Sequence, residues 1–218
     1  MTDFAPQRRN MVDGQIKPNR VTSHELLDAL GYVPRELFVP SASRGYAYAD
    51  SDIRVSDARS LLKPMVLARL LQDAEVQPTD IALVVAGNTG YAAAVLARLA
   101  ETVICVEDDA ELARAASTVL DQLQIDNVAI LTKDATLGHA EQAPYDVILI
   151  DGVVDEVPRG LLDQLAEGGR LVTVVSGDGP MGTARLYLRA SGHVGSRPLF
   201  EAAGWVIPGF ETVREFTF

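Results

Sequence analysis

The stretch Ile81-Ala-Leu-Val-Val-Ala-Gly-Asn-Thr-Gly-Tyr91, with the largely apolar run Ala92 to Ala100 behind it, decides the fold. The unbroken apolar run from Ile81 to Ala86 reads as a strand buried on both faces, since a half-exposed strand would alternate. Gly87, Asn88 and Gly90 then break the pattern, and Tyr91-Ala-Ala-Ala-Val-Leu-Ala-Arg-Leu-Ala100 is built from strong helix formers. Strand, small-residue turn and helix form the unit that sets a nucleotide-sized ligand over backbone N–H groups. A second strand, Val103-Ile-Cys-Val106, ends in Glu107-Asp108-Asp109. An acidic side chain about 20 residues after such a turn accepts both hydroxyls of a ribose. The pattern implies an adenosine-containing ligand. A full glycine fingerprint would have small residues at Ala86, Asn88 and Gly90, and only Gly90 is glycine. An ordinary βα turn that packs a helix on a sheet stays open as the alternative.

Beyond Gly90 the chain alternates strand and helix. Strand 81–86 precedes helix 90–100, and strand 102–106 precedes helix 110–123. Strand 127–131 follows, then strand 145–150 ending at Asp151, helix 157–166 and, after Glu167-Gly-Gly169, strand 170–175. Alternation with apolar strands implies a parallel sheet covered by helices on both faces. The tail differs: Thr183 to Ala190 and Val194 to Phe200 flank Ser191-Gly192 as an antiparallel hairpin, and Val213 to Phe218 reads as a last strand.

Upstream, residues 1 to about 20 are polar, with Arg8, Arg9, Lys17 and Arg20. Thr22 or Ser23 caps a helix whose apolar stripe is Leu26, Leu27 and Leu30 and which Gly31 ends. Val33 to Pro40 is a proline-bracketed connector, and Asp50 to Asp57 reads as loop with one short strand. A further helix starts at Lys63-Pro64.

Composition narrows the function classes. The chain has 218 residues and is 48% hydrophobic, enough for one domain with a sizeable core, and a net charge of −11 argues against nucleic acid as substrate. The single cysteine, Cys105, excludes an internal disulfide and reads as an inert core thiol. No apolar segment suggests a signal peptide or a membrane span, so no membrane partner is expected and the cytoplasm is the expected compartment. His24, His139 and His193 have no metal-ligand companions and read as surface residues, so no metal is expected. Ser60 and Ser176 lack a nucleophile-elbow context. Trp205 reads as a core or interface aromatic, with a pocket wall as the alternative.

Several segments together resemble the protein-L-isoaspartate O-methyltransferases, within the S-adenosylmethionine-dependent methyltransferases. They are Met11-Val-Asp-Gly-Gln-Ile-Lys-Pro18, Val33-Pro-Arg-Glu-Leu-Phe-Val-Pro40, Tyr46-Ala-Tyr-Ala-Asp50, Gly90 to Ala97 and Gln164-Leu-Ala-Glu-Gly-Gly-Arg-Leu-Val172. The N-terminal segments are the specific ones, since generic methyltransferases lack them. The resemblance implies an α/β fold: a Rossmann-like, doubly wound, mostly parallel seven-stranded sheet with an antiparallel C-terminal hairpin. It divides the chain into an extension, residues 1–75, packing on the cofactor edge, and a methyltransferase unit, residues 76–218. It implies S-adenosylmethionine as cofactor, a protein or peptide as substrate, and methyl transfer to an isoaspartyl carboxylate. That carboxylate is already a nucleophile, so positioning and exclusion of water carry the catalysis. A homodimer is one assembly open to the chain.

Under that resemblance Ala86, Asn88, Gly90, Glu107 and Asp134 fall at cofactor-binding positions, with Asp134 at the adenine amino group. Asp134 fits a turn or cap equally well, and Glu107 fits a solvated acidic loop. Leu62 and Lys63 fall on the substrate side, in Arg59-Ser-Leu-Leu-Lys-Pro64, where the family reads Gln-Thr-Ile-Ser-Gln-Pro. Asp151, at a strand end where open α/β sheets bind ligands, is either a functional group with a catalytic role or a helix cap. Val84 stands where the family has an acid for the cofactor's amino group. Val84, Ala86, Asn88 and Leu62 are the departures, and a buried ammonium without a partner is costly. Two readings follow: an isoaspartate-type methyltransferase, or a non-catalytic member keeping the fold for ligand binding or protein association. A nicotinamide-dependent oxidoreductase would share the ribose acid but not the N-terminal segments.

Overall fold

The computed structural model describes residues 3–177 and 179–212. Its N-terminal residues are polar on average yet helical, because three apolar side chains gather on one side. Helix α1 (Ala5–Met11) runs on through a π-helical turn, Val12–Ile16, and buries Met11, Val12 and Ile16. Helix α2 (His24–Tyr32) is capped by the Ser23 hydroxyl, which accepts the Leu26 N–H at 3.2 Å, and it continues through Gly31 to Tyr32. The run Asp50 to Asp57 holds one short strand, as read, and a second lies just beyond it, before Pro64. These are β1 (Ile53–Arg54) and β2 (Ser60–Leu61), paired antiparallel, and α3 (Pro64–Ala74) follows them.

The remaining elements are β3 (Ile81–Val85), α4 (Tyr91–Leu96), β4 (Thr102–Glu107), α5 (Ala110–Gln122), β5 (Val128–Thr132) and β6 (Tyr145–Val154), then α6 (Arg159–Leu162), β7 (Leu165–Val175), β8 (Gly182–Ala190) and β9 (His193–Ala202). The strands form one seven-stranded sheet in the order β5-β4-β3-β6-β7-β8-β9. The first five in that order are parallel, and β8 and β9 are antiparallel. Strand β3 lies between β4 and β6, away from either edge, as the apolar run predicts. Its alternate residues serve two cores. Ala82 and Val84 pack with Cys105 and the α3–α4 side, whereas Leu83 and Val85 pack with Ile104, Val106 and Leu161. Burying each Val or Leu is worth about 1.5–3 kcal/mol, which is why an unbroken apolar run settles here.

Element lengths depart from the sequence reading in three places. Helix α4 stops at Leu96 instead of Ala100, and α6 spans only four residues instead of 157–166. The sheet captures the end of the latter: Tyr145 N donates to Gln164 O at 2.8 Å, and β7 begins at Leu165. Strand β6 runs past Asp151 to Val154 because its outer carbonyls find donors. The Thr173 hydroxyl donates to Ile150 O and Gly152 O, and Ser176 N donates to Val154 O. Asp151 therefore sits inside a strand, beside a register shift between Leu149 and Val153, and does not cap a helix. The β8–β9 hairpin turns on Ser191 and Gly192, both at positive φ (53° and 76°), as a tight two-residue loop requires. The last strand expected at Val213 to Phe218 lies outside the described residues.

Candidate functional site

The C-terminal ends of β3, β4 and β6 converge at the loop from Ala86 to Gly90. Three of its residues are left-handed: Ala86 and Asn88 at φ 54°, and Gly90 at φ 89°. Such a backbone costs a non-glycine residue about 1–2 kcal/mol. The neighbours hold it in place. Gly87 N donates to Val106 O at 3.1 Å, and a Cβ on Gly87 would come within 2.1 Å of Cys105 Sγ. That glycine is set by packing against β4 and not by a ligand. Asn88 supplies the remaining restraints. Its backbone N–H donates to Glu107 Oε2 at 2.8 Å, and its side-chain amide donates to Ala86 O and Asp151 O, each at 3.2 Å, and to Asp151 Oδ2 at 3.4 Å.

Glu107, at the tip of β4, is 0% exposed. Asp109 N donates to its Oε1 at 3.0 Å, and the Arg59 Nε lies 3.5 Å from the same oxygen. Burial raises the Glu107 carboxyl above the usual carboxylate range, and the Arg59 charge and the two backbone N–H groups oppose that shift. Arg59 is itself 5% exposed and forms a second ion pair, with Asp108. Asp151 is 2% exposed, and burial pushes its carboxyl up to about 6.

The structure thus brings Asn88, Glu107 and Asp151 together, with Leu62 close by. A cavity of about 20 Å³ lies on the Leu62 and Asp151 side of this group, lined by Asp52, Arg59, Leu62, Asp151, Gly152 and Trp205. That volume holds one water, whereas pockets for small ligands run to about 300–1,000 Å³. Trp205 stands 72% exposed at its rim, neither core nor interface within the chain. Leu62 is buried, and Lys63 is the half-buried cap residue of α3, its N–H donating to Asp52 Oδ1 at 2.9 Å. Asp134, on the surface just past the pairing of Thr132 with Glu107, caps a short 3-10 turn, accepting from Thr136 N at 2.9 Å. His139 is buried rather than at the surface, because its N–H donates to Gln164 Oε1 and its carbonyl accepts from the Tyr145 hydroxyl.

Two functional neighbours escape a reading of the sequence. Arg59 lies in the quoted stretch Arg59 to Pro64, but its partners are far along the chain. Arg35, fully buried, donates from Nε to Ala47 O (2.9 Å) and from Nη2 to Leu62 O (2.7 Å), and its guanidinium stacks 4.6 Å from the Tyr91 ring centre. It thereby fixes the segment that ends at the site. The only sequence signal for it was the proline-bracketed connector.

The backbone elements that an adenosyl group would need are in place, with Glu107 at the tip of β4 beside the loop. In this resting structure Asn88 N, Asp109 N and the Arg59 guanidinium crowd the carboxylate, Val84 is wholly buried among apolar groups, and the space beside Arg59 is one water wide.

Comparisons with known proteins agree with the fold. The description "Protein-L-isoaspartate(D-aspartate) O-methyltransferase" matches residues 7–194. A protein-L-isoaspartate O-methyltransferase from Koribacter versatilis is 39% identical over 175 residues, 80% of this chain and 79% of that one. A solved protein-L-isoaspartate O-methyltransferase superposes with a TM-score of 0.81 at 26% identity, over 93% of this chain and 66% of that longer one. A Plasmodium falciparum structure described as a putative member, in complex with S-adenosyl-L-homocysteine, gives 0.79 at 19% identity, over 92% and 97% of the two chains, and bears on the fold alone.

Proposed function

Because the chain belongs to the protein-L-isoaspartate(D-aspartate) O-methyltransferase family, we propose that it is an S-adenosylmethionine-dependent methyltransferase acting on isoaspartyl carboxylates of proteins or peptides, with a cofactor end that is closed at rest. The observation that carries this reading is the extent of the match, which begins at residue 7 and so takes in the N-terminal segments as well as the sheet. The cofactor would supply an electrophilic methyl group. The chain's part is to bind, orient and exclude water. Glu107 is the residue to meet the ribose, Gly90 lets the loop enter α4, and Leu62 and Lys63 border the acceptor. Residues 1–75 form the extension over that acceptor, tied within itself by the Arg35 hydrogen bonds and to the rest by the Arg35–Tyr91 contact. Asp151, largely protonated only below about pH 6, is the side chain to test for a catalytic role.

A second reading, a non-catalytic family member, is favoured by the Arg59–Glu107 pair and by Val84. One assay separates them. The purified chain is given isotopically labelled S-adenosylmethionine and either an isoaspartyl peptide or its normal aspartyl isomer, and methyl ester is counted. Slow ester formation confined to the isoaspartyl peptide is expected. No ester with the wild type, nor with a variant carrying Val84→Glu, Ala86→Gly, Asn88→Gly, Leu62→Ser and Arg59→Gln, would leave the non-catalytic reading in its place.

A further inference from the structure

Glu107 has room for about four hydrogen-bond donors around its two oxygens. Asn88 N and Asp109 N take two of them, at 2.8 and 3.0 Å, from the chain's own backbone. What faces the remaining side is the Arg59 guanidinium, with Nε 3.5 Å from Oε1. A ribose diol would approach that same side with its two hydroxyl hydrogens, where Arg59 Nε, which makes no hydrogen bond among the described residues, now presents charge. Both cannot be there. Arg59 is also tied from without by Asp108, which is 44% exposed at its side chain, so the guanidinium lies between two carboxylates. The backbone beneath it is fixed too: Arg59 O accepts from Val55 N and Ser56 N at 3.0 and 3.2 Å, closing the β1–β2 turn over the site. The 20 Å³ beside it offers no alternative berth for a sugar.

We propose that Arg59 is the residue that decides whether this chain accepts an adenosyl ligand, its guanidinium standing in the ribose position against Glu107. The proposal rests on the family reading of the site and adds to it a competitor that Val84, Ala86 and Asn88 do not account for. Those three residues weaken the contacts for the ligand's amino-acid end and its backbone approach. Arg59 instead fills space that the ribose needs. Restoring the three alone should therefore recover little binding.

The test is calorimetric titration of S-adenosylhomocysteine into four proteins: wild type, Arg59→Gln, the triple variant Val84→Glu with Ala86→Gly and Asn88→Gly, and the triple variant with Arg59→Gln added. Circular dichroism and thermal melting verify that each is folded. Glutamine keeps much of the stem and removes the charge. Glu107 is then free to accept the ribose hydroxyls or to take a proton. Arg59→Gln is expected to tighten binding by about tenfold or more in each background, since losing a charge-assisted competitor is worth a decade in affinity. Should Arg59→Gln fail to fold, Asp108→Asn carries the test. It releases the outer anchor without stranding a buried charge, and a smaller tightening is expected. Measurable binding that is the same with and without Arg59 would overturn the assignment while leaving the family reading intact. Absence of binding in all four proteins would overturn both.

Discussion

Arg35 and Arg59 are both buried, and the fold accommodates them in opposite ways. Arg35 lies against an aromatic face and gives its hydrogens to the carbonyls of Ala47 and Leu62. Its charge is spread over dipoles and a ring, with the Asp151 carboxylate acting on it without an ion-pair contact, and burial lowers its pKa. Arg59 lies instead between Glu107 and Asp108, balanced by full charges at the end of a strand. The first arrangement joins segments that must not move, because carbonyls left behind would be buried without donors. The second is an exchangeable pairing: Glu107 accepts any donor of suitable shape, or a proton. A buried ion pair is weak evidence for stability. Here it marks the region where a ligand would compete.

The comparison can be broken most directly at Arg35. Arg35→Met should lower unfolding free energy by about 3–5 kcal/mol, since two buried carbonyls lose their donors and the ring loses its cation. Urea denaturation measures this, and a loss under about 1 kcal/mol would remove the distinction between the two arginines.

Asp151 gives the next largest effect, and it depends on pH. Burial raises its carboxyl from 3.8 to about 6, so the folded chain holds that proton more tightly than the unfolded chain does. Its contribution to stability is therefore present at low pH and is lost as pH rises from about 4 to about 6. A shift of about two units corresponds to about 3 kcal/mol. Unfolding curves for wild type and Asp151→Asn should diverge across that window, with the asparagine protein gaining toward neutral pH. Parallel curves would mean that Asn88 and Arg35 stabilise the charged form enough to cancel the burial.

Arg59→Gln should cost only about 1 kcal/mol in the same denaturation experiment, because Glu107 can take up a proton once the guanidinium is gone. A cost equal to that of Arg35→Met would make Arg59 a structural cation like its counterpart. The smallest effect is expected at Ala86, where φ is 54°. Ala86→Gly relieves a left-handed alanine but loosens the unfolded chain, for a net gain of about 0.5–1 kcal/mol. A thermal melt reads it, and destabilisation would show that the Ala86 methyl packs more than it strains.

The sheet was legible because its signal is periodic and local. Ile81 to Val85, Thr102 to Glu107 and the β8–β9 hairpin all fall within a few residues of where apolar runs and Ser191-Gly192 put them. The shortfall at α4 and α6 arises where tertiary hydrogen bonds override helix propensity, as Gln164 O shows by bonding to Tyr145 N. The site divides along the same line. Asn88 and Glu107 stand at predictable strand ends, whereas Asp151, read as a strand end, lies inside β6. Asp134 was readable as a turn former as well, and its hydrogen bonds make that turn beside the end of the Glu107 strand. Arg59 was not legible, since it meets Asp108 across 49 residues of sequence. No window short enough to show periodicity spans that distance.

Gly87 and Cys105 have a consequence for how the molecule can be watched. The chain's single thiol is 0% exposed in the middle of β4, with the Gly87 backbone pressed so close that even a methyl group would collide with its sulfur. Burial also pushes the thiol's pKa up, so little thiolate forms. A thiol-directed dye has no side entrance to it: labelling must wait until β3 and β4 part. The rate at which the native chain takes up such a dye is thus a clock for opening at the centre of the sheet, already built in and needing no engineered reporter.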